Sequence, residues 1–431
     1  MKKQIANELI DFIYDSPTAY NAVETLRAWL IKEGFIEIKS SDRWNLLEGG
    51  KYFVDKNNSG LVAFTVGSGN VAEHGFKLIG AHTDAPGFRI KPSPDMKVEK
   101  NYVKLNTEVY GGPILNTWFD RPLGIAGRVT LVSENPLKPV SKIININKPV
   151  MIIPNVAIHM NREINNGIKI NPQKDTLPLL ALMNEEMEKE NYLLTLLADE
   201  MGVEVEDILD FELMPYEYQK GSIIGLNEEF ISTGRLDNLA MIQAGTKALV
   251  DAKVKNGVNV MLCYDNEEVG SRTKQGADSP FFPEVLERIV LSLGGDREDL
   301  FRAVANSFLI SADLAHAIHP NATEKHDPVV RPMMGKGPVI KIAASQSYST
   351  DSEGAATFEM VARKADVSVQ RFVNRSDVRG GSTIGPIAAS HLAVKTVDMG
   401  NAVLAMHSIR ELGSVDDHAD CIKVFTEFFN L

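Results

Sequence analysis

The amino-acid sequence predicts an α/β protein: a doubly wound mixed sheet flanked by helices and interrupted by an inserted, mainly β domain. Three observations carry this expectation. The apolar runs 258–264 and 307–310 lack alternation and read as parallel strands buried on both faces. Apolar residues recur at helical spacing in 239–250, 384–394 and 415–429, so helices lie beside those strands. From about Phe88 to about Phe230 the texture changes to short strand-like segments among Pro and Asn.

The elements follow in order. Ile5, Leu9 and Ile13, then Ala22, Val23, Leu26 and Leu30, predict two amphipathic helices broken near Ser16-Pro17. Residues 52–54, 61–64 and 76–81 read as strands separated by Gly, Asn and Ser. In the middle block, 129–132 and 150–153 read as strands, and a long polar helix is expected from Asp175 towards Met201. After Ser232 the pattern returns to strand, loop and helix. The expected division is therefore a discontinuous domain of residues 1–90 and 231–431 with 91–230 inserted into it.

Composition excludes several classes. With 431 residues the chain buries a large core, and 45 Lys and Arg against 57 Asp and Glu give −12. That balance argues against a sequence-independent grip on nucleic acid, which needs surplus cations. Two cysteines, Cys263 and Cys421, sit in apolar segments and form no disulfide scaffold, which points to a reducing compartment. The N-terminus enters a helical pattern at once, without a signal-peptide apolar stretch, and no run approaches a membrane span. A cytoplasmic protein with no membrane partner is expected.

Residues able to carry chemistry sit at element ends. His82 and Asp84 close a strand at i, i+2, which puts both on one face; the carboxylate can fix the imidazole tautomer, although a hydrogen-bonded loop histidine has the same pattern. Asp265-Asn266-Glu267-Glu268 follows a buried strand, where α/β sheets place ligand crevices, and adjacent carboxylates there repel unless a cation or proton intervenes. Asp313 ends another strand and precedes His316 and His319; Asp237 precedes a helix, which also suits an N-cap; His407 follows an apolar run, which also suits a core histidine. Together, a histidine, two aspartates, a glutamate pair and a last histidine suit two adjacent divalent ions, with one carboxylate bridging and one group left as general base.

The sequence resembles the M18 family of metallo-aminopeptidases over nearly its whole length. The residues that carry the resemblance are Gly80-Ala81-His82-Thr83-Asp84, Tyr110-Gly111-Gly112, Thr117-Trp118-Phe119-Asp120-Arg121, Gly234-Arg235-Leu236-Asp237-Asn238, Asp265 to Ser271, Ser311 to Ala317, Gly381-Ser382-Thr383-Ile384-Gly385-Pro386 and Met406 to Glu411. The resemblance implies a zinc-exopeptidase fold and a cofactor of two divalent ions, zinc with cobalt or manganese as alternatives. It implies that His82 and Asp313 hold one ion, Glu268 and His407 the other, and Asp237 both; Glu267 is then the general base and Asp84 orients His82. The inserted block resembles a dimerisation domain whose His159 reaches a neighbouring subunit's site, in dimers that assemble into a tetrahedral dodecamer.

The implied substrates are peptides with free N-termini. Lys341 matches the pocket region of the family's acid-selective members, and N-terminal Asp or Glu is the expected preference. Ser347 departs from the arginine of their pattern, which keeps a neutral or hydrophobic N-terminal preference open. A non-catalytic, metal-stabilised assembly protein is the rival from another class; Glu267, which no ligand role needs, speaks against it.

Overall fold

The computed structural model describes residues 2–183, 191–378 and 380–431. Two compact units result: Met1–Asp84 with Gly221–Met406 and Glu411–Leu431, and Ala85–Lys220 with His407–Arg410.

The first unit is built on a nine-stranded mixed sheet, in the order Ile36–Glu37, Lys51–Lys56, Gly60–Val66, Val258–Tyr264, Phe76–His82, Phe308–Ala312, Lys395–Gly400, Val339–Lys341, Gln370–Phe372. Its centre is parallel: Val258–Tyr264, Phe76–His82, Phe308–Ala312 and Lys395–Gly400 run side by side in one direction. Alternating side chains serve opposite faces. Val258, Val260, Leu262 and Tyr264 join the core cluster that holds Phe281, Phe282, Ile289 and Ile384. Met261 and Cys263 join the other, with Leu239, Ile242, Phe425 and Phe429. Burial on both faces explains why these strands read as continuous apolar runs rather than alternating ones. The opening helices, Lys2–Tyr14 and Ala19–Lys32, bury Leu9, Ile13, Leu26 and Leu30 in the second of these cores; Thr18 caps the latter helix by accepting the Asn21 amide.

The second unit holds two antiparallel three-stranded sheets. One orders Gly87–Val98, Tyr102–Tyr110 and Leu179–Leu182; the other orders Ile208–Glu217, Leu123–Leu131 and Val140–Asn145. Their apolar sides share a core with Trp118, Leu193, Leu197 and Ile409, in which Phe88 meets Trp118 edge to face at 5.0 Å. The strand Gly87–Val98 passes unbroken through the expected boundary at residue 90, and Phe230–Thr233 pairs with Glu411–Ser414 of the first unit. The segment 407–410 joins the second unit because Ile409 enters its core and Arg410 pairs with the buried Glu217.

Two expected elements are corrected. The long helix from Asp175 is instead a short turn of helix, Pro172–Asp175, then the strand Leu179–Leu182 and the helix Tyr192–Met201; residues 184–190 lie outside the described residues. Pro178 disfavours helical backbone at Leu177 and ends the first turn. Residues 150–153 make only isolated bridges, Met151 to Leu123 and Ile152 to Leu179, between Pro149 and Pro154.

Close approach of main chains tightens the central sheet. A Cβ on Gly400 would stand 1.9 Å from the Asp313 carbonyl oxygen. Gly400→Ala is expected to lower unfolding stability by at least about 2 kcal/mol through overpacking, read from the urea midpoint; an unshifted midpoint would show that the strand accommodates the methyl.

Candidate metal centre

Parallel register gathers the site. His82 ends its strand opposite Tyr264, and Asp265, Glu267 and Glu268 follow Tyr264 directly. Asp313 follows Phe308–Ala312, which flanks the His82 strand on its other side. Because the three strands finish on one edge, their following residues meet at the carboxyl end of the sheet, where open α/β sheets place ligands. Asp237 arrives from the start of the helix Leu236–Asp251, which departs from helical geometry at Asp237 and Asn238, across a cis peptide bond.

The imidazole of His82 is 1% exposed. Its Nδ1 lies 3.1 Å from the Asp84 carbonyl and 3.2 Å from Asp84 Oδ1; both oxygens accept, so Nδ1 donates. Nε2 then faces Asp237 Oδ1 at 3.4 Å, Asp313 Oδ1 at 3.8 Å and Glu267 Oε2 at 4.0 Å. Ligating atoms of His82, Asp237 and Asp313 lie within 4.8 Å of one another, as do those of His82, Glu267 and Glu268. Imidazole and carboxylate groups converging at that separation are the donor set zinc takes, so the residues fit a metal.

Electrostatics point the same way. Burial opposes charge on His82, but hydrogen bonds to Asp237, Asp313 and Asp84 and the Glu267 charge outweigh it and raise its pKa well above the ordinary value. Burial, with Asp313, Asp84 and Asp237 adding and His82 opposing, pushes the Glu267 carboxyl up to about 8. Asp265 is pushed to about 7 by burial and then by Asp84. Such a cluster recruits positive charge, either as protons or as cations that displace them.

Neighbouring groups hold the cluster in place. Asp84 accepts the backbone N–H of Glu267 on Oδ1 at 3.1 Å and that of Glu268 on Oδ2 at 3.2 Å, fixing the 3₁₀ turn Glu267–Val269. The Glu267 side chain stays 16% exposed, so a substrate can reach it. Glu411 Oε2 accepts the Asp237 amide at 3.0 Å, and Asn238 Nδ2 donates to the Ala312 carbonyl at 2.8 Å. Neither Glu411 nor Asn238 is marked by residue type or spacing; their one signal is a place inside the 406–411 and 234–238 segments that carry the family resemblance.

Lys341, the cation expected at the substrate pocket, is buried and bound to Asp313. The residue is 2% exposed, and its Nζ donates to Asp313 Oδ2 at 3.2 Å and to the Leu314 carbonyl at 3.1 Å, with the Tyr348 ring 5.2 Å away. An ammonium has three donors, so one remains. A cavity of about 320 Å³ lies in the same unit, lined by His316, His319, Lys325, His326, Phe372 and Arg375 among others and, among the described residues, by no acidic one. Burial first, then the Lys341 charge, lowers the His316 pKa, which keeps its imidazole neutral against Lys341.

His407 belongs to the second unit. Its Nδ1 lies 3.0 Å from the Gly112 carbonyl and so donates, which makes Nε2 the lone-pair nitrogen, as in metal-ligating histidines. His159 also belongs there, on a stretch in which residues 154–160 are all exposed.

A family model for the aminopeptidase I zinc metalloproteases (M18) matches residues 12–429. The chain is 60% identical over 430 residues to the probable M18 family aminopeptidase 2 of Clostridium novyi, covering 100% of this chain and 99% of that one. Its fold matches the crystal structure of prApe1 with a TM-score of 0.93 at 31% identity, covering 99% of this chain and 94% of that one. It matches the mApe1 dodecamer of S. cerevisiae with a TM-score of 0.85 at 30% identity, covering 99% and 96%. The large mixed sheet, the buried His and carboxylate cluster on its edge and these likenesses converge: the chain belongs to the M18 family of zinc metalloproteases and is a zinc-dependent aminopeptidase.

Proposed function

We propose that the chain removes single N-terminal residues from peptides with a pair of divalent cations, zinc in the first instance, and favours N-terminal Asp or Glu. One observation carries the reading: His82, Asp237, Asp313, Glu267 and Glu268 converge while Asp84 orients both the imidazole and the glutamate turn. His82 and Asp313 would hold one cation and Glu268 and His407 the other, with Asp237 shared, as the family resemblance implies. When bound, such cations supply Lewis acidity to a water and to the scissile carbonyl. Glu267, spared from ligation and 16% exposed, takes the proton from the attacking water and delivers it to the leaving amine. The surrounding carboxylates attract the substrate's free α-amine, which restricts cleavage to the first residue.

The acid preference rests on Lys341 and on the cavity lined by its strand partner Phe372, whose lining among the described residues holds Lys325, Arg375 and three histidines and no carboxylate. Phe372, Val373 and Val378 on the same lining make a neutral N-terminal residue the competing reading. For the second unit we propose a dimerisation surface: Val156, Ile158 and Met160, 54%, 47% and 78% exposed, flank His159, which would serve a neighbouring subunit in a dodecamer. A cytoplasmic location accords with a helix set in which none is long and apolar enough to cross a membrane, among the described residues.

Glu267→Gln is expected to lower turnover by about 10²- to 10⁴-fold while zinc content by atomic absorption stays at the wild-type level; wild-type turnover would remove Glu267 from the mechanism. Lys341→Met should reduce hydrolysis of Asp-p-nitroanilide relative to Leu-p-nitroanilide. An unaltered ratio would shift acid recognition to Lys325 and Arg375. His159→Ala should depress turnover with bound zinc and assembly mass unchanged, and full activity would end the helper role.

A further inference from the structure

The loop of Ser347, which departs from the family pattern, and the segment 381–386 contain none of the proposed ligands or the base, yet they meet on one buried carboxylate. Asp398 lies in the strand Lys395–Gly400, opposite Ser311, and is 0% exposed. Its Oδ1 accepts from Ser311 Oγ at 2.7 Å and Thr383 Oγ1 at 2.6 Å. Its Oδ2 accepts from both the amide and the hydroxyl of Ser349, each at 2.6 Å. Gly385 leaves the space for this: a Cβ there would stand 2.3 and 2.4 Å from the two carboxylate oxygens. Ser382 Oγ donates to the Ser347 carbonyl at 3.1 Å, so the two loops are also joined directly.

Each bond reaches the site through a short covalent step. Ser311 is two residues from Asp313. Ser349 follows Tyr348, whose ring faces the Lys341 ammonium that Asp313 binds. Thr383 caps the helix Ile384–Leu392 and follows Gly380 and Gly381 of the cavity lining. Burying a carboxylate is costly unless it is fully hydrogen-bonded, and charge-assisted bonds are the strong ones. A role in packing alone needs no such charge, whereas holding two irregular loops in register does.

We propose that Asp398 is a positioning residue of the aminopeptidase: through Thr383 it fixes the loop that lines the cavity, through Ser349 the loop bonded to it that carries Tyr348, and through Ser311 it steadies the strand end that carries Asp313. The proposal rests on the site described above.

Asp398→Asn tests it in the full-length, zinc-loaded protein. Hydroxyls can reverse their bonds, but the Ser349 amide cannot, so the asparagine oxygen will keep Ser349 and its amide group will face Ser311 and Thr383. The expected result is a rise in KM for Asp- and Leu-p-nitroanilide on the order of tenfold or more, with a smaller change in kcat and undiminished zinc content. Hydrogen exchange should accelerate in peptides covering 380–383 and 345–350 and stay unchanged in the strand Val258–Tyr264. Thr383→Val should reproduce the KM effect and Thr383→Ser should restore it. An unchanged KM in Asp398→Asn, or faster exchange spread evenly over the sheet, would overturn the positioning role. Exchange reads the loops without turnover, so a failure of the Glu267 mechanism is distinguishable from a failure of this one.

Discussion

Negative charge crowded onto one edge of a parallel sheet is the constraint around which the first unit is organised. Asp84, Asp237, Glu267, Glu268 and Asp313 approach a single imidazole in a region nearly closed to water. Two like charges about 4 Å apart repel by roughly 4 kcal/mol at an effective dielectric of about 20, so the arrangement stands only if positive charge enters it. The protein supplies some through Lys341 on Asp313 and through the readiness of His82 to hold a proton. The rest is left for a cation to supply, and the family model that matches the chain is one of zinc metalloproteases.

Holding such groups against their repulsion requires a rigid support. Strands buried on both faces cannot slide, because a one-residue slip would turn every apolar side chain to the wrong layer. The Asp237 amide is tied to Glu411 and the Asn238 side chain to the Ala312 carbonyl, so the residue proposed to be shared between cations is anchored by its own main chain and by its neighbour. Gly400 lets the adjoining strand approach the Asp313 carbonyl more closely than any side chain permits. Preorganisation of this kind keeps ligands converged before a cation or substrate arrives.

Much of this was legible in the sequence, because strand ends announce themselves. The run Val258–Tyr264 was read with its true limits, and the acidic residues after it were placed at the crevice on that ground alone. The helix Val415–Phe429 was equally plain, since its apolar residues keep one period throughout. What escaped was whatever depends on partners distant in sequence. No local pattern distinguishes Asp398, which gathers bonds from residues 311, 349 and 383, from any other strand aspartate. That Lys341 lies buried against Asp313 and Tyr348 is likewise a tertiary fact, which its own segment does not show. The helix expected from Asp175 failed for a local reason, Pro178, whose effect on its predecessor was outweighed by a polar, helix-favouring composition downstream.

Asp84 shows how few groups set the geometry. One of its oxygens accepts both from the His82 ring and from the Glu267 amide, and the other accepts from the Glu268 amide. Two proposed ligands, His82 and Glu268, and the proposed base, Glu267, are thus referred to a single carboxylate. Side chains that share one partner do not contribute independently. The distance between His82 Nε2 and Glu267 Oε2, 4.0 Å, is therefore governed from behind, by a residue that need touch neither metal nor substrate. That explains why a histidine and an aspartate two residues apart accompany a glutamate pair far along the chain: the spacing lets one carboxylate orient the imidazole and seat the turn that carries the proposed base.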